Sequence, residues 1–421
     1  MIKLYNTRSQ QLEAFKPQTE LVTMYVCGIT PYDTTHLGHA FTYTAVDILL
    51  RHLEHQGHRV KYVQNVTDID DDILRKARET STDWHALGDE WTAHFIRDMQ
   101  SLNVRAPDYF PRATDTIPQI IEMVQALLTT GKAYEADGNV YFAVKTWPSY
   151  GELSHLPRTE MLPVANEHGN RPDDPNKHDP LDFVLWQAQA PGEPAWDSPW
   201  GPGRPGWHIE CSAMAMHLLG ETTDIHAGGA DLVFPHHESE IAQTVAVTNR
   251  EPSVRFWMHT AMVRYEGEKM SKSLGNLVMV RDLLDSYSPD VLRFYLAQHH
   301  YRQSWDHEAE GIEQAQEKVR VLQKAVTSFG GHGQALDPAP SQVAFTKALD
   351  QDLDTPQATS ILVELANQIR RAAKNGQQIN AAQDTLQELG LVLGLRLDAE
   401  ATGVNVMAGW NRHLQHFEQP E

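Results

Sequence analysis

The chain has two cysteines in 421 residues, and each lies among other reactive side chains. Cys27 stands in "YVCGITPYDTTHLGHA", Tyr25 to Ala40, together with His36 and His39. Cys211 stands in "GWHIECSAM", and "GGADLVFPHHESEIAQ" further along sets His236 four residues before Glu240. Two thiolates, one imidazole and one carboxylate suit zinc. Taken singly, each cysteine also fits a buried thiol. On spacing alone, His236 and Glu240 also fit the solvated face of a helix.

A second kind of chemistry is written in His36-Leu37-Gly38-His39 and in "EKMSKSLGN", Glu268 to Asn276. The two histidines are three apart near a helix start, so they project to one face. A helix N-terminus favours phosphate through its N–H groups and dipole. In isolation the pattern also describes two surface histidines. Lys269 and Lys272, with Ser271 and Ser273 between and beside them, put point charges on flexible stems. Such charges suit a departing pyrophosphate, whose charge grows as the bond breaks.

These groups need elements to hold them. Thr23 to Val26 reads as a buried strand, "HLGHAFTYTAVDILLRHLEHQG" as a helix closed by Gly57, and "HRVKYVQNVTDID" as a second strand. Strand, turn, helix and strand make a βαβ unit. Ligands bind beyond the carboxyl ends of such strands. The Cys-Gly-Ile-Thr turn and Asn65-Val66-Thr67 both fall there. The pattern predicts helices over 83–102 and 117–130 and a strand in "GNVYFAVK". Residues 150–206 are rich in Pro, Gly and Asp, which predicts a surface insertion or linker. A helix near 211–219, a strand near 223–226, a helix after Phe234 and a strand in "FWMHTAMVRYEG" follow. The final third reads as helical, with Thr355 as an N-cap before Pro356. The expected fold class is α/β: a Rossmann-like core split by an insertion, then a C-terminal helical domain. The expected divisions are 1–110 and 206–265 for the two halves of the core, 111–205 for the insertion, 266–330 for the lysine loop and its sequel, and 331–421 for the helical region.

Lys and Arg number 35 against 56 Asp and Glu, for a formal charge of −21. That is a poor electrostatic footprint for nucleic acid, although a local basic groove is compatible with it. No apolar run is long enough to span a membrane. The opening "MIKLYNTRSQQLEAF" lacks the apolar core of a signal peptide, so the expected location is cytoplasmic. A structural disulfide is not expected in that compartment.

The histidine and lysine motifs together are similar to the signature of class I aminoacyl-tRNA synthetases. With the cysteine motifs added, residues from Met1 to about Val363 resemble the cysteine-activating branch of that superfamily. The resemblance implies a zinc ion held by Cys27, Cys211, His236 and Glu240 that binds the thiolate of substrate L-cysteine. It implies ATP, with Mg2+, as the second substrate. His36, His39, Lys269 and Lys272 would then act on the phosphates. Cys27, Gly28, Ile29 and Thr30 would line the adenylate. Thr42, Asn65, Val66 and Thr67 would supply contacts near the amino acid and phosphate. Trp207 would close over the cysteine, Gly229, Ala230 and Asp231 would face the ribose, and Val263 would meet adenine. Retention of all the lysines and ligands argues against a catalytically dead paralogue.

Two families share this branch, cysteinyl-tRNA synthetases and the mycothiol-pathway cysteine ligases. "FPHHESEIAQ", "IECSAM" and "KMSKSLGN" look like the former, while "CGITPYDTTHLGHA" and the stretch around "EHGNRP" look like the latter. From Gly331 onward six basic residues (Lys347, Arg370, Arg371, Lys374, Arg396, Arg412) face eleven acidic ones. This balance predicts that a basic anticodon-recognition module is missing. The expected acceptor is therefore a small amine, the aminosugar glucosaminyl-inositol, with tRNA as the alternative. A monomer is expected.

Overall fold

The computed structural model describes residues 1–32, 34–270, 274–397, 404–415 and 417. At its centre lie four parallel strands: β1 (Leu21–Ile29), β2 (Arg59–Val66), β3 (Thr223–Gly229) and β4 (Val254–Thr260). Their spatial order is β4-β3-β1-β2. "LVTMYVCGI" is an almost unbroken apolar run because β1 is a central strand, covered on both faces. The chain leaves β1 for β2 on one side and later returns to β3 on the other. Cys27, Gly28 and Ile29 thus end β1 at the point where the strand order reverses, next to the end of β3.

Helix α1 (Leu37–His55) joins β1 to β2. Its buried residues, among them Leu37, Phe41, Ile48, Leu49 and Leu53, return at helical spacing and pack on the sheet. Gly57 follows its end at φ +88°, a conformation that costs a residue with a Cβ. Helices α2 (Trp207–Leu219) and α3 (Glu238–Thr248) flank β3 in sequence.

Between β2 and α2 the chain builds helices Asp71–Thr80, Trp84–Ser101 and Ile117–Thr129. It then forms an antiparallel sheet of Ala133–Ala136, Asn139–Phe142, Phe183–Ala188 and Gly203–Pro205. The Pro- and Gly-rich stretch is therefore not only surface. "FVLW" within it is an inner strand of this sheet, and Trp186 is fully buried beside Phe142 and Leu185. Turn residues dominate the composition of the stretch and mask one short apolar run.

The last third bundles helices Pro289–Ala297, Ala309–Val326, Ala339–Leu349, Thr355–Lys374 and Asn380–Val392, of which the first and last pack on α1, with a core continuous with that of the sheet. Asp354, not Thr355, caps the helix there: its carboxylate accepts from Gln357 N–H at 3.0 Å, and Pro356 sits in the first turn. Aspartate is as good a cap as threonine, and the start moves by one residue. Arg293 is buried between the regions. It donates to Asp47 of α1, to the Leu102 carbonyl at 2.8 Å, and to the Leu393 carbonyl of the helical region. Burial would raise Asp47, but Arg293 and Arg51 outweigh it and hold the carboxyl below its ordinary range. Among the described residues no helix is long and apolar enough to cross a membrane.

Candidate active site

The four residues read as metal ligands converge, although the chain separates them widely. Cys27 Sγ lies 3.8 Å from Cys211 Sγ and 3.7 Å from Glu240 Oε1. His236 Nε2 lies 3.1 Å from the same Glu240 oxygen. Each comes from a different start: Cys27 from the end of β1, Cys211 from the second turn of α2, Glu240 from the first turn of α3, and His236 from the turn before it. That turn is not regular helix, since Phe234 is extended at φ −137°, ψ 134°. The wide turn still leaves His236 and Glu240 side by side. Cys27, His236, Glu240 and the adjacent His237 bring their ligand atoms within 4.8 Å of one another and could hold a metal ion, and Cys211 meets this group through Cys27.

His237 also belongs here, and the sequence reading missed it. Its Nε2 is 3.2 Å from Cys27 Sγ, and its Nδ1 is 2.8 Å from His259 Nε2. His259 Nδ1 in turn meets Thr7 Oγ1 at 2.7 Å. His226 Nε2 lies 3.5 Å from Cys27 Sγ, and His208 Nδ1 lies 2.9 Å from His236 Nδ1. The available signal was the second histidine of "PHHESE" and His226 on the expected strand. Nothing in linear spacing says that β3 aims His226 at Cys27 or that β4 sets His259 behind His237.

Burial sets the electrostatics. It pushes the Cys27 thiol and the Glu240 carboxyl up, and the His236 and His237 imidazoles well down. It brings His208, His226 and His259 down to about 3. Cys27, Glu240, His236 and His237 thus prefer their neutral forms until a cation arrives to compensate the ionised Cys27 thiol and Glu240 carboxyl.

A cleft of about 1360 Å³ opens beside this cluster, between the core and the inserted sheet. Thr30, Trp207 and His208 line its core wall, and Tyr141, Phe183 and Arg204 its far wall. The Trp207 ring stacks on His236 with centroids 4.3 Å apart, so it separates the donors from the cleft.

The other predicted residues fall around the strand ends. A Cβ on Gly28 would sit 1.5 Å from the Asn65 carbonyl oxygen, so only glycine lets β1 pass β2 this closely. Gly28 N–H donates to Asn65 Oδ1 at 2.8 Å, and Asn65 Nδ2 donates to Thr67 Oγ1 at 3.2 Å. Thr67 N–H donates to the Ile29 carbonyl at 2.9 Å, and Ile29 pairs with Val66 in the sheet. Thr42 Oγ1 lies 2.6 Å from Thr260 Oγ1. Gly229, Ala230 and Asp231 follow the end of β3, and Lys269 Nζ lies 3.6 Å from Asp231 Oδ2. Val263 is buried in the short strand Val263–Tyr265, which pairs with Glu268–Lys269. Lys272 lies outside the described residues.

His36 is the N-cap of α1, and its ring accepts from Gly38 N–H at 3.1 Å and His39 N–H at 3.4 Å. A Cβ on Gly38 would meet that ring at 3.0 Å. The rings of His36 and His39 stack with centroids 3.7 Å apart. The first-turn N–H groups expected to await phosphate are thus partly used by the His36 ring, and the imidazole pair forms the surface at that end.

Residues 14–317 match the catalytic-domain model of class I tRNA synthetases of the cysteine type. Residues 344–398 match the DALR domain. A cysteine–tRNA ligase of Synechococcus elongatus is 45% identical, over 96% of this chain and 88% of its own. That of Thermococcus onnurineus is 45% identical over 88% and 80%, and that of Shewanella loihica 44% over 94% and 86%. The fold also resembles Mycobacterium tuberculosis methionyl-tRNA synthetase bound to methionyl-adenylate, at a TM-score of 0.61 and 15% identity over 95% and 93% of the two chains.

These matches overturn the expectation of an aminosugar acceptor. The relatives that cover nearly the whole chain are cysteine–tRNA ligases, and a DALR anticodon-binding domain lies in the region expected to lack such a module. A tally of basic and acidic residues counts charge without saying where it lies, and it was the wrong guide. The chain is an enzyme, a ligase with ATP as substrate. It belongs to the class I cysteinyl-tRNA synthetase family.

Proposed function

We propose that the protein charges tRNA with cysteine through a cysteinyl-adenylate. The observation that carries this reading is the buried donor set at the side of the cleft, in a chain 45% identical to a cysteine–tRNA ligase over 96% of its length.

The donors fit zinc. Bonds of about 2.0–2.3 Å to a tetrahedral ion set ligand-to-ligand edges of about 3.3–3.8 Å. The separations of 3.8, 3.7 and 3.1 Å among Cys27, Cys211, Glu240 and His236 lie in or close to that range. His237, 3.2 Å from Cys27 Sγ and 3.9 Å from Glu240 Oε1, belongs to the same donor group, and the softer thiolate favours Cys211 over it as the fourth ligand. Zinc, when bound, supplies a soft site that takes a thiolate in preference to a hydroxyl. His208 fixes the tautomer of His236 through its second nitrogen, as metal-binding histidines require.

The remaining roles belong to the chain's own groups. Trp207 covers the amino acid. The substrate carboxylate attacks the α-phosphorus of ATP and pyrophosphate leaves. The stacked His36 and His39 face the phosphates, at the positive end of α1. Lys269 and Lys272 stabilise the pyrophosphate as its charge grows. Gly229, Ala230, Asp231 and Val263 hold the nucleoside side, with Thr42, Asn65, Val66 and Thr67 around the adenylate. A terminal hydroxyl of tRNA then attacks the activated carbonyl carbon and AMP leaves. Among the expected divisions, 1–110 and 206–265 carry the metal and adenylate groups, 266–330 the lysines, and 331–421 the tRNA contact.

The test gives the protein ATP, labelled cysteine and total tRNA. Base-labile label on tRNA is the expected result. Rapid cysteine-dependent ATP–pyrophosphate exchange without any charging of tRNA would overturn the acceptor and leave the activation step.

A further inference from the structure

The two phosphate-facing motifs are stitched together by a residue that neither motif contains. Leu37 N–H donates to the Val278 carbonyl at 2.8 Å, and Val280 N–H donates to the Thr35 carbonyl at 3.0 Å. His36 and Met279 thereby form an antiparallel bridge. The segment that follows the lysine loop thus lies directly against the entry to α1. Arg281 reinforces the join. Its Nη2 donates to the Thr34 carbonyl, two residues before the N-cap His36. The same nitrogen lies 3.7 Å from Asp98 Oδ2, and its guanidinium stacks 5.2 Å above the Trp91 ring. Asp98 and Trp91 both belong to helix Trp84–Ser101. One planar cation therefore grips three places: the backbone before the histidine motif, a helix behind it, and its own segment beyond the lysine loop. Thr34 and Thr35 are buried, so their carbonyls have little water to replace a lost partner.

From this geometry we infer that Arg281 is a positioning residue for adenylation, holding the entry of α1, and so His36 and His39, in register with the segment after the lysine loop. It acts on ATP and not on cysteine, because its contacts lie at the phosphate end while the thiol donors sit on β1, α2 and α3. A fork of donors on a flat cation is needed. Lysine reaches one acceptor, but it cannot donate to Thr34, face Asp98 and stack on Trp91 together. The inference rests on the adenylation reading above.

The experiment is cysteine-dependent ATP–pyrophosphate exchange by wild type, Arg281→Met and Arg281→Lys, with melting temperature and metal content measured alongside. Methionine keeps an apolar stem against Trp91 and removes every donor. Arg281→Met should lose about tenfold or more in kcat or kcat/KM for ATP, the scale of a small misplacement of catalytic groups. Its KM for cysteine and its metal content should stay at wild-type values. Arg281→Lys should recover part of the loss. Unchanged ATP parameters in Arg281→Met would overturn the inference. So would equal losses toward both substrates with a lowered melting temperature, which would mark a merely structural residue. If Arg281→Met does not fold, Arg281→Lys decides by the same split between ATP and cysteine. Failure of the wild type to exchange at all would strike the adenylation reading itself, and is thus distinct from failure of this inference.

Discussion

The two ends of the site are built on opposite plans. At the thiol end, Cys27, Cys211, His236, His237 and Glu240 are all buried, and their side chains touch one another and a surrounding set of imidazoles. At the phosphate end, an imidazole pair caps one helix, and Lys269 reaches out with more than half of its side chain in water. On the function proposed above, the difference follows from the tasks. Telling cysteine from serine means telling sulfur from oxygen in nearly the same volume, which needs fixed donors and no water. Releasing pyrophosphate needs charges that can follow a leaving group, and long stems in solvent do this.

The largest expected effect probes the rigid end. Cysteine should support ATP–pyrophosphate exchange at least roughly 10³-fold better than serine, by kcat/KM, as for other sites that select by a polar partner. Comparable rates with the two amino acids would show that the buried donors do not set specificity. In the same region, Cys211→Ala should reduce bound zinc from about one per chain to a small fraction of that. His237→Asn should keep the metal. Elemental analysis of both variants decides, and the reverse pattern would move the fourth ligand from Cys211 to His237.

A smaller effect is expected at the open end. Lys269→Ala should slow exchange by about 10²-fold, the scale of one lost transition-state contact. Zinc content and the KM for cysteine should not move. If both shifted with the rate, the two ends would not be separable as described.

The smallest effect concerns pH. Burial holds His259 neutral, with its pKa down at about 3, below the ordinary histidine value. A folded pKa below the unfolded one gives stability that is complete above about pH 6.5 and is lost as pH falls. Between pH 7 and pH 5 this one imidazole should cost about 2 kcal/mol, since each pH unit below the unfolded pKa is worth about 1.4 kcal/mol. Denaturant midpoints at the two pH values measure it, and His259→Gln should show a shallower dependence. An identical slope in the variant would mean that His259 is not held neutral by the fold.

The sequence made the phosphate end legible in part and the thiol end only by resemblance. "HLGH" at a helix start and "EKMSKSLGN" are local patterns, and α1 begins one residue after His36. Local reading could not see that the His36 ring folds back on Gly38 and His39, because a free rotamer is invisible in a one-letter string. The donors of the thiol end come from three elements and a turn whose meeting depends on strand order, so spacing alone left them ambiguous. His237 and His259 were missed for the same reason. The parallel strands were readable because an inner strand is apolar on both faces. The strand Phe183–Ala188 was hidden because prolines and aspartates outnumber its apolar residues in the surrounding stretch.

The distance along the chain between Cys27 and its partners has a consequence for how the molecule is made. Cys211 lies 184 residues beyond Cys27, and Glu240 lies 213 beyond it. A growing polypeptide therefore cannot assemble this cluster until β3 and α3 have been synthesised and β3 has docked beside β1. Closing so long a loop is a late event in folding, and contacts of high sequence separation reward the chain only after that entropy has been spent. An ion that binds these donors binds a finished core and not a fragment. Metal occupancy would then report completed folding of the catalytic half, and metal supply would act on the last step of maturation and not the first.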